Sequence, residues 1–273
     1  MQVDLWITLN EPRVQCTGGY GDGNTAPGVT GIGDNTYICA HNKIRAHAKA
    51  YRVYQSEFAA SQKGQVGITL NIEWGEPEDP NDPTHVEASN ENAQFGLGWY
   101  AHPIFVDGAY PEVMREKVEY NPTCRTLFRC SIHVLLQIDA KSELQGFPES
   151  RLPEFTAEES NEILGSSDFL GINFYTSTIV YPRPGDISTP SYYEDKDVGG
   201  YPDPNWYRYV LGLPILQHLA LQKAMDSDIL NMNFQSLLVL AICDSFRNSK
   251  NDELDNGRVW RNSSDLHYGK WLL

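Results

Sequence analysis

Val3-Asp4-Leu5-Trp6-Ile7-Thr8-Leu9 runs directly into Asn10-Glu11-Pro12. The first seven residues alternate loosely and are rich in β-branched and aromatic side chains, which predicts a buried strand. The polar triplet then places a carboxyl group where a rigid strand ends, and Pro12 stiffens the exit. The same rhythm recurs twice. Val66 to Ile72 (VGITLNI) and Asp168 to Phe174 (DFLGINF) read as a second and a third strand. Between the first two, Thr36 to Gln62 contains neither Pro nor Gly, and apolar residues recur at Ile44, Ala48, Tyr51 and Ala59. That predicts a helix of about seven turns, with Asp34 or Asn35 as its cap and Gly64 as its stop. Further helices are expected from Thr84 or Asn90 to about Tyr100, and from Thr156 to Leu164. Gly18 to Gly33 reads as a Gly-rich loop and Glu73 to Pro83 as an acidic, Pro-containing one. Strands alternating with helices mark an α/β protein. In a (β/α)8 barrel the active site lies at the carboxyl ends of the strands. Those positions here are Asn10-Glu11, Asn71-Glu73 and Asn173-Tyr175. Three strands cannot close a barrel, and no others are legible.

Composition bounds the function. The chain has 273 residues, 41% hydrophobic and 21% charged, with a net charge of -15. A nucleic-acid binder needs a basic face, so that partner class is set aside. The longest apolar run lies between Ser236 and Cys243, far short of the ~20 residues of a spanning helix. No basic-then-apolar leader follows Met1, which leaves the compartment open. The charge is uneven. Residues 1–207 hold 29 acidic and 14 basic side chains, whereas residues 208–273 hold 7 of each. Tyr120 to Ile138 contains two Arg and no acid. The expected organisation is therefore an acidic body over 1–207, interrupted at 120–138, and a tail of different character over 208–273.

Taken by spacing alone, Glu11 is better explained by a solvated loop acid than by a general acid. His41 and His47 lie six residues apart and point to different sides of a helix, so buried, hydrogen-bonded histidines are favoured over metal ligands. Gly18 to Gly33 lacks the G-x-x-x-x-G-K-[ST] spacing and any Lys, which favours a sharply turning loop over a phosphate loop. Five cysteines with no short paired spacing predict neither a disulfide framework nor a zinc site. No metal and no cofactor is expected.

The neighbouring residues carry a stronger signal. Trp6-Ile7-Thr8-Leu9-Asn10-Glu11-Pro12, with Gly19-Tyr20-Gly21 and Ala26-Pro27-Gly28, resembles glycoside hydrolase family 1, the family of β-glucosidases, lactase-type enzymes and myrosinases. Further blocks follow in the family's order: Ala40-His41-Asn42, Gly67-Ile68-Thr69-Leu70-Asn71 with Trp74, Phe95 to Phe105 with Gly108 and Tyr110-Pro111, Ser150 to Thr156, and Asp168 to Thr176. The resemblance covers about residues 3–119 and 139–207. It implies a fragment of a TIM (β/α)8 barrel, about three central βα units, from a retaining β-glycosidase that acts on β-glucosides or galactosides. By the same resemblance Glu11 matches the acid/base and Asn10 the residue that binds the sugar 2-hydroxyl. Tyr175 matches the phenol that orients the nucleophile, and Asn173 a residue lining the cleft. Trp74 stands as an aromatic wall or as a packed core residue. Arg13 departs from the aromatic that relatives often carry after Pro12.

The family's nucleophile lies in a Thr-Glu-Asn-Gly block that this sequence lacks; Asp255-Asn256-Gly257 is the nearest string and is not preceded by an apolar strand. The family's earlier strands would precede Met1. Deleting Tyr120 to Ile138 restores the family's usual link between Glu119 and Asp139, as expected if that stretch and the tail are translated non-coding sequence. The expected outcome is a chain without glycosidase activity of its own. The alternative is a non-catalytic, klotho-like pseudoenzyme that binds a sugar or a protein partner. Asn10, Glu11 and Tyr175 favour the first reading, and the missing nucleophile favours the second.

Overall fold

A computed structural model of the chain describes residues 3–30, 33–118, 141–203 and 237–242, with side chains for all of these except 175, 176 and 237–242. Tyr120 to Ile138, Cys124, Cys130, Cys243, the 255–257 string and most of the tail lie outside the described residues. Strand β1 (Leu5–Asn10) leads into helix α1 (Pro12–Tyr20), then α2 (Asn35–Val53) and α3 (Ala59–Gln62). Strand β2 (Gln65–Pro77) is followed by α4 (Pro83–Ala93), α5 (Trp99–Phe105), α6 (Glu112–Val118), α7 (Lys141–Leu144) and α8 (Ala157–Ile163). Strand β3 (Phe169–Pro182) is followed by α9 (Tyr192–Asp195), β4 (Val198–Tyr201) and β5 (Leu237–Ile242).

The three expected strands β1, β2 and β3 lie side by side and parallel. Two more were not legible. Strand β4 pairs antiparallel with the far part of β3, from Ile179 to Pro182, and β5 pairs parallel with its near part, from Phe169 to Phe174. The short Val198-Gly199-Gly200-Tyr201 run carries little β signal, and a lone apolar run such as Leu237 to Ile242 reads equally as strand or helix. Strands β2 and β3 also run further than expected, to Pro77 and Pro182, because they pair with each other as far as Pro77 and Val180. The segment read as the start of an acidic loop is therefore strand. Every residue of β2 from Val66 to Ile72 is buried, the pattern of a parallel strand covered on both faces. Gly67 serves that packing: a Cβ there would lie 2.5 Å from the Phe169 carbonyl oxygen.

The long helix forms nearly as read. Asp34 caps α2 by accepting from the Asn35 backbone N–H at 2.7 Å. Its buried residues Tyr37, Ala40, His41, Ile44, His47, Ala48 and Tyr51 recur at three- and four-residue steps, one apolar stripe facing the core. A single π-helical turn, Tyr54–Phe58, interrupts it before α3. Lys63, with φ 54°, supplies the left-handed residue at the stop. Gly64 has another job, since a Cβ at that position would lie 2.8 Å from the Tyr54 hydroxyl. The expected Gly18–Gly33 loop begins as helix, because α1 reaches Tyr20.

The core sits between the sheet and the helices. Trp99 stacks on Tyr192 with ring centroids 5.0 Å apart and meets Tyr37 at 5.2 Å. Beside them Arg151 and Asp195, both fully buried, form a two-pronged ion pair at 2.7 and 2.8 Å, and the Tyr37 hydroxyl donates to Asp195 at 2.7 Å. The opening strand departs from expectation. Val3, Trp6 and Ile7 are 49%, 48% and 53% exposed. Among the described residues β1 pairs with β2 only, which leaves its other edge without a strand neighbour there.

Candidate active site

Glu11 stands at the junction of β1 and α1. Its backbone N–H donates to the Thr69 carbonyl of β2 at 2.9 Å, which extends the sheet by one residue. Its φ of 48° and ψ of 54° then turn the chain into α1, where Pro12 occupies the first helical position. Pro suits that position because its missing N–H would have no helical partner there. The β1–β2 register slips between Ile7 and Asn10, just before this turn. The slip re-aims the last side chains of the strand.

Strand β3 supplies the partner. In register, Asn173 lies opposite Asn71. Its side-chain amide reaches across to β1, where Nδ2 donates to Glu11 Oε1 at 2.7 Å and to Asn10 Oδ1 at 3.0 Å. One buried amide thus fixes the orientation of both residues. With its carbonyl oxygen accepting from Asn173, the Asn10 side-chain amide keeps its own N–H group for another partner. Asn10 is exposed and Glu11 half-buried, whereas Asn173 and Asn71 are buried. Three of the sequence-derived site residues, Asn10, Glu11 and Asn173, are therefore brought together. Asn71 and Asn173 sit within their strands rather than at the ends, since β2 and β3 continue as a longer ribbon.

Other sequence-derived residues fall elsewhere. Tyr175 belongs to β3, two residues beyond Asn173, and its side chain lies outside the described residues. Trp74 packs in the core, only 6% exposed, and donates from Nε1 to Glu76 at 2.8 Å. Arg13 is largely buried against Tyr192, with Glu73 at 3.9 Å. Burial acts to lower its pKa, but the Tyr192 and Glu73 neighbours outweigh that and raise it. The two histidines are packed and bonded. His41 stacks on Phe155 at 4.3 Å and shares a hydrogen bond with the Tyr110 hydroxyl at 3.1 Å. His47 shares one of 2.6 Å with the Thr8 hydroxyl, which ties α2 to β1. Burial pushes the His47 pKa down to about 4, against a smaller opposing effect of the nearby Ser166 backbone.

The cysteine expectation is corrected. Cys16 of α1 and Cys39 of α2 form a disulfide, with Cα atoms 5.6 Å apart. Their separation of 23 residues has no motif value, and only the two helices bring them together. Among the described residues no group of three or more His, Cys, Asp or Glu side chains could hold a metal ion. No helix there is long and apolar enough to cross a membrane.

A family model described as Glycosyl hydrolase family 1 matches residues 1–229. The chain belongs to that family. Among curated proteins of family 1, the rat lactase/phlorizin hydrolase is 39% identical over 206 residues, covering 75% of this chain and 10% of that protein. The cytosolic β-glucosidase of Cavia porcellus is 37% identical over 205 residues, covering 75% of this chain and 39% of the relative. Among solved structures, an aphid myrosinase aligns with a TM-score of 0.63 at 29% identity, over 76% of this chain and 40% of its own. A rice β-glucosidase aligns with a TM-score of 0.59 at 31% identity, over 73% and 38%. The chain thus spans two fifths or less of the length of these relatives. Its sheet and helices are a piece of the family 1 barrel.

Proposed function

We propose that this chain carries the acid/base half of a retaining β-glycosidase site for β-glucosides or galactosides. The observation that carries the reading is the single Asn173 amide donating to both Glu11 and Asn10. A retaining glycosidase needs a group that protonates the glycosidic oxygen and later deprotonates water. It also needs a contact to the sugar 2-hydroxyl that strengthens in the transition state. Glu11 is suited to the first role and the N–H of Asn10 to the second. Tyr175 is assigned to orient the nucleophile. That nucleophile, a second carboxylate about 5–5.5 Å from the acid/base in such enzymes, is absent from this sequence in the family's form. Glu11 alone can protonate a leaving group but cannot form the glycosyl-enzyme intermediate. The chain by itself therefore binds without turning over. The fixed Glu11 favours this reading over a pure binding module, which has no use for an acid/base.

The test pairs binding with turnover. The purified chain is titrated with the basic iminosugar 1-deoxynojirimycin by calorimetry and assayed with p-nitrophenyl β-glucoside. Expected are binding that Glu11→Gln and Asn10→Ala each weaken, and no hydrolysis. Glu11-dependent hydrolysis would overturn the claim of inactivity. Absence of any binding would overturn the half-site.

A further inference from the structure

We infer that the Cys16–Cys39 disulfide is the brace that holds Glu11 in position, so that the site is complete only under oxidising conditions. The inference rests on the role assigned to Glu11 above. Glu11 occupies the left-handed region, with φ 48° and ψ 54°. A residue with a Cβ stays there only when its surroundings hold it. Glu11 is held directly by the Asn173 amide and by its backbone bond to Thr69, and α1 by Arg13 against Tyr192, but the two segments that flank Glu11 are themselves weak. Helix α1 has nine residues, no side-chain cap hydrogen bond at its start, and Val14, Thr17, Gly18 and Gly19 in its sequence. Such a helix does not stand by itself. Strand β1 has one strand neighbour among the described residues, and its middle is exposed at Trp6 and Ile7.

The rigid body nearby is α2. Its 19 residues are fastened by Tyr37 to Asp195 and by His47 to Thr8. Besides packing, α1 is linked to α2 by the disulfide and by a Lys43–Gln15 hydrogen bond between exposed side chains. Cys16 lies one helical turn beyond Pro12 and is fully buried, so its sulfur transmits the position of α2 to the turn that carries Glu11. Cys39 is half-buried and offers the reachable sulfur.

A small dithiol reverses the brace. Its thiolate attacks Sγ of Cys39 and the S–S bond breaks, with Cys16 leaving as a thiolate that takes up a proton. The second thiol of the reductant then displaces Cys39, which also leaves as a thiol. The protein gains two electrons and two protons, and the reductant ends as its own disulfide. Such bonds persist in oxidising surroundings and are lost in reducing ones.

The experiment is amide hydrogen exchange on the full chain, oxidised and after dithiothreitol, beside an untreated Cys16→Ala/Cys39→Ala double variant. That variant removes the bond while leaving Cys124, Cys130 and Cys243 as they are. In the reduced chain and in the variant, amides of residues 13–20 are expected to exchange about tenfold faster or more, while those of Ile44 to Tyr51 change less than about twofold. The affinity for 1-deoxynojirimycin falls in parallel. Three results would overturn the brace: free thiols at both positions in the air-oxidised protein, unchanged α1 exchange once alkylation proves the bond cleaved, or equal acceleration of both helices. A chain that binds no iminosugar in either state overturns the glycoside reading of Glu11, while the exchange rates still decide whether the disulfide braces α1.

Discussion

Two regions of the molecule are built on opposite terms. Around α2, α5 and α9 the side chains are interlocked: Trp99 stacks on Tyr192, Tyr37 joins them, and a fully buried Arg151–Asp195 pair ties three segments together. Around β1 and α1, apolar side chains face outward, one strand neighbour is present, and the backbone turns through a left-handed residue. The fold is secured on the first side and the proposed site is displayed on the second. A reacting group must be reachable, and reach is incompatible with the burial that stabilises the rest.

The sharpest way to break this contrast is Arg151→Met. It leaves Asp195 charged and buried beside Tyr37, and the expected loss is about 3–5 kcal/mol in urea unfolding. A small loss would mean that the interlocked side is not where stability resides.

A second probe uses pH. The imidazole of His47 has a pKa near 6.5 when unfolded and about 4 in the folded chain. The folded state therefore holds it neutral, while the unfolded state takes up a proton below pH 6.5. Its stabilising effect is complete above that value and is lost as pH falls towards 4, a change of up to about 3 kcal/mol. In His47→Gln the slope of stability against pH in this window is expected to flatten. Since His47 joins the two regions through Thr8, an unchanged slope would cut that link.

Asn173→Ala should act mainly on the displayed side. It removes the donor to Glu11 and Asn10 at a cost of about 1–2 kcal/mol in unfolding, with a weaker iminosugar isotherm as the second readout. Trp6→Lys completes the series. On an exposed strand position the change is expected to stay within about 0.5 kcal/mol. A larger loss in the same urea experiment would show that Trp6 is covered after all.

How much the sequence disclosed follows the same division. The parallel strands, the long helix and the Asn10-Glu11 pair were legible, because a strand-period run ending in a polar triplet is a local signal. The convergence of Asn173 on Glu11 spans 162 residues, and the family resemblance placed both in one cleft without showing their contact. Strand β4 escaped because pairing with β3, and not its own composition, makes it a strand. The Cys16–Cys39 bond escaped because its logic lies in the meeting of two helices. Trp6 and Ile7 look like core residues to any local reading; only the pairing of β1 shows that they are not buried here.

The backbone at Glu11 also bears on substitution. Glycine enters the left-handed region without a steric penalty, and asparagine enters it more readily than glutamate. Judged by backbone conformation alone, Glu11→Gly would relax the turn between β1 and α1. The stability of the turn and the proton-donor role proposed for Glu11 thus pull this one position in opposite directions. A screen that selects variants of this chain for solubility alone should let Glu11 go early, and one that selects for glycoside binding should hold it.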